Sequence, residues 1–196
     1  MATCFLIYAW VRVEQSYETG YPDSERIFRV VTTGDDSGES GFATTYPMVR
    51  PRVLSQFPEV ESSARLFDLG FLGSKTKVAW ENKVFTDLRF FYGDSTLLNL
   101  LHIPMIAGDA TSALTRPNAI ILSASTARKF FGDKNPLGKM LRVGGNTDME
   151  ITGVVQDMPA NTHIHFDVMA SMASHPWIKN AENSLWSGIV FHTYVR

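Results

Sequence analysis

The residues best suited to bind a metal ion are two histidines and an aspartate at alternate positions, His163, His165 and Asp167. If they lie on a strand, their side chains share one face. A catalytic zinc site needs three such ligands around one ion. Same-face side chains on one strand are about 6–7 Å apart, too far for a single ion. We therefore expect no bound metal, with residues 161–163 capping the strand and Asp167 paired to a neighbour.

A second cluster, Gly132, Gly138 and Lys139, comes close to a phosphate-binding loop. That loop requires G-x-x-x-x-G-K-[ST] between a strand and a helix. Here five residues separate the glycines, and Met140 stands where the loop needs a magnesium-binding hydroxyl. The glycines also follow the predicted helix, so no helix N-terminus faces a phosphate. We interpret Gly132 as a left-handed helix C-cap and Gly138 as part of a turn.

No residue pattern predicts an enzyme. The G-x-S-x-G motif of hydrolases does not occur. The single cysteine, Cys4, lies in an apolar run with no histidine nearby. The adjacent carboxylates Asp35 and Asp36 lie in a polar, glycine-rich loop, where no neighbour is expected to tune them for acid–base chemistry. We predict a non-catalytic protein without a cofactor, and keep a metal-dependent hydrolase as a hypothesis that metal analysis would test.

Composition excludes some partners and some kinds of stabilisation. The chain has 196 residues and a net charge of −2, with no run of lysine and arginine, so we expect no binding to nucleic acid. One cysteine excludes an intrachain disulfide and a cysteine metal cluster. A chain of this length can bury enough surface to fold without disulfides or metal clusters.

The N-terminal segment is strongly apolar. Residues 4–11 form an apolar run that is too short to cross a bilayer, which needs about 20 residues. The run lacks the basic region and cleavage site of a signal peptide. Tyr8 and Trp10 are residue types favoured at membrane interfaces. We interpret residues 1–18 as the end of a transmembrane helix and a polar stalk, with the first helix of a soluble core as the alternative.

Predicted strands outnumber helices in the rest of the chain, which favours an α+β class with mostly antiparallel sheets. Residues 26–32 form a predicted strand with apolar residues on both faces, which indicates a central place in the sheet. Three successive strands with short turns predict an antiparallel meander over residues 60–71, 76–80 and 84–90. Further strands are predicted over residues 103–107, 149–158, 164–172 and 188–195.

Local signals place the helices and the turns. A helix is predicted over residues 46–57, a short one over 95–101, and a short helix or turn over 175–181. Residues 118–141 predict a strand, a helix with Ser123 as its N-cap, a turn and a strand. Gly153 interrupts a predicted strand and indicates a bulge or a close approach of two backbones.

Several segments of the chain carry a family resemblance. They are Y-P-D-S-E-R-I-F-R-V at 21–30, F-P-E-V-E at 57–61, F-F-Y at 90–92, G-D-A-T-S-A-L at 108–114, the stretch 118–141, and I-T-G-V-V-Q-D-M-P-A-N-T-H-I-H-F-D at 151–167. In order and spacing they resemble the MacB-like periplasmic core domain of FtsX-type ABC transporter permeases. The resemblance makes six residues its structural signature: Gly132, Pro136, Gly138, Gly153, Asp157 and Pro159.

The resemblance implies a two-lobed periplasmic domain inserted between two transmembrane helices of an inner-membrane permease. We expect a porter-like lobe formed by residues 19–115 and 187–196, and a smaller mixed α/β lobe formed by residues 116–186. The implied partners are a cytoplasmic ATPase subunit, a second permease copy, and a periplasmic adaptor or outer-membrane protein.

The implied function is to couple ATP hydrolysis in the cytoplasm to export or extraction of a periplasmic substrate, by mechanotransmission. The alternative is a signalling or scaffold domain that recruits a periplasmic partner such as a cell-wall hydrolase. A histidine inside the family signature is expected to be structural, which further weakens the metal hypothesis for His163 and His165.

Overall fold

The computed structural model describes residues 2–17, 22–33, 41–70, 73, 75–175 and 190–196. Four α-helices occur in this part: α1 (Ala2–Gln15), α2 (Val49–Gln56), α3 (Leu97–Leu100) and α4 (Ala124–Phe131). The strands are β1 (Phe28–Val30), β2 (Thr32–Thr33), β3 (Gly41–Phe42), β4 (Ser63–Asp68), β5 (Val78–Trp80), β6 (Lys83–Phe85), β7 (Phe90–Gly93), β8 (Met105–Gly108), β9 (Ala119–Ser123), β10 (Met140–Val143), β11 (Thr147–Val155), β12 (Val168–Ser171) and β13 (Phe191–Val195).

One large mixed sheet organises the described residues. Its strand order is β1-β13-β4-β7-β12-β9-β11-β10-β5-β6, and β8 pairs with the second half of β11. The β11–β9 and β12–β7 pairs are parallel, and the other pairs of this sheet are antiparallel. Strands β2 and β3 form a separate two-stranded sheet. The fold is therefore α+β with mostly antiparallel pairing, as the sequence predicts.

The central strands divide their side chains between two buried clusters, because alternate residues of a strand face opposite sides. On β9, Ile120 and Leu122 join one cluster and Ile121 joins the other. Helix α4 contributes Phe130 and Phe131 to the first cluster, whereas α3 contributes leucines to the second. The continuous apolar runs of the central strands follow from burial on both faces.

The stretch 118–141 forms the predicted strand, capped helix, turn and strand. Ser123 Oγ accepts a hydrogen bond from the backbone N–H of Thr126 (3.3 Å), which caps α4. Gly132 ends the helix with φ 63° and ψ −126°. The positive φ suits glycine, but the ψ shows that Gly132 is not in the left-handed helical conformation that we predicted.

Two predictions about the strands are wrong. Strand β1 lies at the edge of the sheet, not at its centre, and Phe28 is 62% exposed. The meander is limited to the β5–β6 hairpin, because β4 pairs with β13 and β7, whereas β5 pairs with β10. Both errors concern pairing between strands that are distant in sequence, which local patterns do not specify.

The predicted lobe boundaries are crossed by strand pairing. Strand β7, from the predicted residues 19–115, pairs with β12, from the predicted residues 116–186. Strand β5 pairs with β10 across the same boundary. The division into lobes stays a prediction. Residues 18–21, 34–40, 71, 72, 74 and 176–189 lie outside the described residues. They include the predicted loop with Asp35 and Asp36, most of the predicted segment 175–181 and the start of the predicted strand 188–195.

Gly153 and Gly108 bring two backbones close together in β11 and β8. The β11–β9 register shifts between Ile151 and Gly153, which confirms the predicted bulge. A Cβ atom on Gly153 would lie 2.5 Å from Met105 Cε and 3.2 Å from Ile121 Cγ2. Gly108 has φ +90°, and a Cβ there would run into the Thr152 carbonyl oxygen. Position 108 therefore requires glycine, whereas a side chain at position 153 would require Met105 to move.

Candidate functional site

The predicted metal ligands do not lie on a strand. Strand β12 begins at Val168, so His163, His165 and Asp167 belong to the loop before it. The prediction that a strand begins at residue 164 is wrong. Backbone groups in this segment form hydrogen bonds with side chains and with a loop. For example, Thr162 Oγ1 accepts a hydrogen bond from the Ile164 N–H (3.2 Å). No group of three or more His, Cys, Asp or Glu in the described part of the chain is placed to hold a metal ion.

Asp167 is paired to a neighbour, as predicted. Its carboxylate accepts hydrogen bonds from the Arg89 guanidinium at 3.1 and 3.3 Å and from the Arg89 backbone N–H at 2.8 Å. The Asp167 carbonyl oxygen accepts from Ser123 N–H (3.0 Å). Asp167 therefore joins the loop before β7 to the end of β9. His163 and His165 line an open cleft of about 570 Å³ beside this ion pair.

The segment that comes close to a phosphate-binding loop contains a turn at Gly138. Gly138 has φ +76°, and its N–H donates to the Ile151 carbonyl (2.8 Å). The Pro136 carbonyl accepts from Lys139 N–H (3.1 Å). The Lys139 ammonium lies over the rings of Trp80 (5.3 Å) and Phe131 (4.8 Å). The side chain that a phosphate loop would aim at its ligand is thus engaged by aromatic rings.

Helix α1 exposes apolar side chains around its whole circumference. Six of these side chains are more than half exposed: Phe5, Leu6, Ile7, Tyr8, Trp10 and Val13. A helix that is apolar on all sides normally lies in a protein core or in a lipid bilayer. No helix within the described ranges is long and apolar enough to span a membrane.

The C-terminal end of α1 contacts the loop between β11 and β12. The Asn161 amide donates to the Ser16 carbonyl oxygen (2.6 Å), and the rings of Tyr17 and His163 lie 5.0 Å apart. We call this loop, residues 156–167, the connecting loop. It contains the signature residues Asp157 and Pro159, and both line a cavity of about 340 Å³.

Asp157 fixes the other side of the connecting loop. Its carboxylate accepts a hydrogen bond from Ser125 N–H (2.9 Å) in the first turn of α4. Partial burial opposes ionisation, but the hydrogen bonds from Ser125 and Ser123 outweigh it and lower the pKa of Asp157. The loop therefore contacts α1 through Asn161 and His163, α4 through Asp157, and the loop before β7 through Asp167.

Charged side chains connect the start of β1 to the end of β13. Glu61 pairs with Arg26 (2.5 Å) and lies 3.6 Å from the Arg196 guanidinium. His102 Nε2 lies 3.7 Å from Asp23 and 3.5 Å from Arg196 Nη1. A cavity of about 270 Å³ is lined by Ile27, Arg29 and Tyr194 on one side of the sheet edge and by His163 and Ile164 of the connecting loop. His163, which contacts Tyr17 just after α1, thus lines the same cavity as Arg29 of β1 and Tyr194 of β13.

Sequence reasoning missed a buried ion pair. Arg65 and Asp94 are 3% and 7% exposed, and their side chains meet at 2.9 Å (Nε to Oδ2) and 3.1 Å (Nη2 to Oδ1). Arg50 Nε lies 3.3 Å from the same carboxylate. The available signal was a lone arginine within the small and apolar residues of β4, since a buried charge requires a partner.

Comparison with known proteins gives a consistent assignment. A domain of a protein described as a permease from Porphyromonas gingivalis superposes with a TM-score of 0.76 at 27% identity, over 90% of this chain and 76% of that chain. The periplasmic region of MacB from Actinobacillus actinomycetemcomitans gives 0.57 at 16% identity, over 87% and 72%.

The extracellular domain of the ABC-type transporter YknZ from Gram-positive bacteria gives a TM-score of 0.54 at 15% identity, over 87% of this chain and 81% of that chain. At such identities the MacB and YknZ likenesses concern the fold alone. No curated protein matches the chain. The family profile of the MacB-like periplasmic core domain matches residues 1–196. The chain therefore belongs to the MacB-like periplasmic core domain family of ABC transporter permeases.

Proposed function

We propose that this domain transmits motion from an inner-membrane permease to a periplasmic substrate, driven by ATP hydrolysis in a cytoplasmic partner subunit. The observation that carries the proposal is the contact between α1 and the connecting loop, through Asn161 with Ser16 and His163 with Tyr17. Helix α1 is then the periplasmic end of a transmembrane helix, which accounts for its exposed apolar side chains.

The path of this motion follows the contacts of the connecting loop. A displacement of α1 pulls on Asn161, and the loop passes it to α4 through Asp157 and to the loop before β7 through Asp167. The permease acts as a dimer or as two halves, with a periplasmic adaptor or an outer-membrane protein as a further partner. The domain itself is not an enzyme, because its role is mechanical.

The test uses the complete permease with its ATPase, reconstituted in proteoliposomes. We expect Asn161→Ala to lower substrate movement several-fold while ATP hydrolysis stays near the wild-type rate, because the loop loses its hydrogen bond to α1. The matched control is Asn146→Ala in the exposed β10–β11 turn, which should change neither activity.

Two results would contradict the mechanical role. One is equal loss of ATP hydrolysis and substrate movement, which would indicate a folding defect or a direct effect on the ATPase. The other is normal substrate movement by Asn161→Ala. If the domain instead recruits a cell-wall hydrolase, ATP-dependent activation of that hydrolase would persist in a permease that moves no substrate.

A further inference from the structure

Three lysines lie over aromatic rings where β5, β6 and α4 meet. Lys83 Nζ is 5.8 Å from the Trp80 ring centre, Lys129 Nζ is 4.6 Å from the Phe85 ring, and Lys139 Nζ contacts Trp80 and Phe131. We call these three lysines and three aromatic residues the lysine–aromatic patch. Ammonium groups held over rings are attracted to the ring faces and lose part of their conformational freedom.

The charge of the patch is only partly offset within the described residues, where Asp87 acts on Lys129 electrostatically. None of Lys83, Lys129 and Lys139 forms a salt bridge there, whereas the nearby Lys75 is paired with Asp87 at 2.9 Å. Lys83 Nζ donates to the Phe130 carbonyl (2.9 Å), which fixes its position further. Three ordered positive charges close together are complementary to a ligand that carries several carboxylates.

Among the described residues, strand β6 beside the patch is the last strand of the sheet. The hairpin pairs Trp80 with Lys83 across a two-residue turn, and Ala79 with Val84. The two residues that flank such a turn are hydrogen-bonded to each other through their backbones. The two residues of the next pair are therefore not hydrogen-bonded to each other. The N–H and C=O groups of Val84 therefore point away from β5, and its side chain is 60% exposed. This edge can accept another strand.

We propose that an extended acidic segment of a partner protein adds to the free edge of β6 as a further strand, with its carboxylates on Lys83, Lys129 and Lys139. A peptide satisfies both features at once, because its backbone pairs with Val84 while alternate side chains reach the lysines. An anionic lipid satisfies only the charge. Strand β6 is also nine strand positions away from β1, which lines a cavity together with His163 of the connecting loop. The surface is separate from the connecting loop, so this proposal does not depend on the mechanical role.

The test measures binding of a short fluorescent peptide that alternates glutamate with valine to the full chain, by fluorescence anisotropy. We expect saturable binding that weakens steeply at about 1 M salt, where screening acts within about 3 Å. Val84→Pro should weaken binding about tenfold, because proline removes the outward N–H without disturbing the pairing with β5. Lys129→Glu should weaken it by a similar factor. Arg52→Glu on α2, with the same charge change, is the control and should bind as the wild type does.

Hydrogen exchange on the unmodified chain provides a second measurement that requires no variant. Bound peptide should slow exchange of the Val84 amide, because that N–H becomes hydrogen-bonded. The proposal is overturned if the peptide does not bind, or if Val84→Pro binds normally and Val84 exchange is unchanged. It is also overturned if vesicles of phosphatidylglycerol bind the patch with the same lysine dependence and displace the peptide, since the surface would then recognise lipid.

Discussion

Asp94→Ala should cause a large loss of stability, because it removes the counter-charge of a buried guanidinium. The Asp94 carboxylate accepts two hydrogen bonds from the Arg65 side chain, at 2.9 and 3.1 Å, and one from the Arg65 backbone N–H, at 2.8 Å. Arg50 lies 3.3 Å from the same carboxylate, with its side chain 25% exposed. The substitution removes the ion pair and the hydrogen bonds that Asp94 accepts from the buried Arg65 guanidinium.

Removing one partner of a buried ion pair costs about 3–5 kcal/mol. In a domain of this size 1 kcal/mol shifts Tm by roughly 2–4 °C, so we expect Tm to fall by about 6–20 °C. Urea unfolding followed by tryptophan fluorescence would give the same loss as a free energy of unfolding. The matched control is Asp148→Ala. Asp148 pairs with Arg142 at 2.8 Å, but both side chains are about half exposed (49% and 56%). That substitution should cost far less stability than Asp94→Ala, because an ion pair in contact with water contributes little.

Equal losses for Asp94→Ala and Asp148→Ala would refute the reasoning, because burial would then have no effect on the energy of the pair. A second variant separates lost charge from lost packing. Replacing Arg65 and Asp94 together by leucine should recover most of the stability, since apolar residues of similar volume can replace a buried pair at little cost. A double variant as unstable as Asp94→Ala would indicate that the contacts of Arg65 with Pro47 and Phe191 dominate.

Two further predictions concern the backbone and the pH dependence. Gly108→Ala should destabilise the fold by about 3 kcal/mol in urea unfolding, because its Cβ meets backbone of β11; Gly145→Ala, also at positive φ but in open space, should cost only about 1 kcal/mol. Burial lowers the pKa of His192 despite its hydrogen bond to Ala43, so the folded chain binds fewer protons than the unfolded chain. Stability should therefore fall as pH drops below about 6.5, and His192→Gln should flatten that decline in Tm; an unchanged slope would exclude His192 as its source.

Local signals in the sequence were sufficient for the parts of the fold that depend on neighbouring residues. The Ser123 cap and the apolar spacing of α4 predict that helix closely, and Gly153 marks the bulge. Each of these features is decided within a few residues: a hydroxyl that satisfies an N–H group, or a missing side chain where two backbones meet.

The position of each strand in the sheet could not be predicted in this way. The segment around Phe28 has apolar residues on both faces, as a central strand does, but it lies at the edge of the sheet. Its place depends on pairing with β13, which is far along the chain. The loop with His163 and Asp167 alternates like a strand, yet its backbone bonds to Thr162 and Arg89. The contact of Asn161 with Ser16 has no signature in either segment, because it joins residues 145 positions apart.

The place of β13 has a consequence for how the domain is made. It lies between β1 and β4, and Val195 is paired with both Phe28 and Ser63. At ribosomal rates of about 5–20 residues per second, on the order of ten seconds pass between the synthesis of Ser63 and the synthesis of Val195. During that time β1 and β4 have open edges, and the sheet cannot close by local pairing. We expect a chaperone that shields extended strands to act on this chain until β13 has emerged from the ribosome.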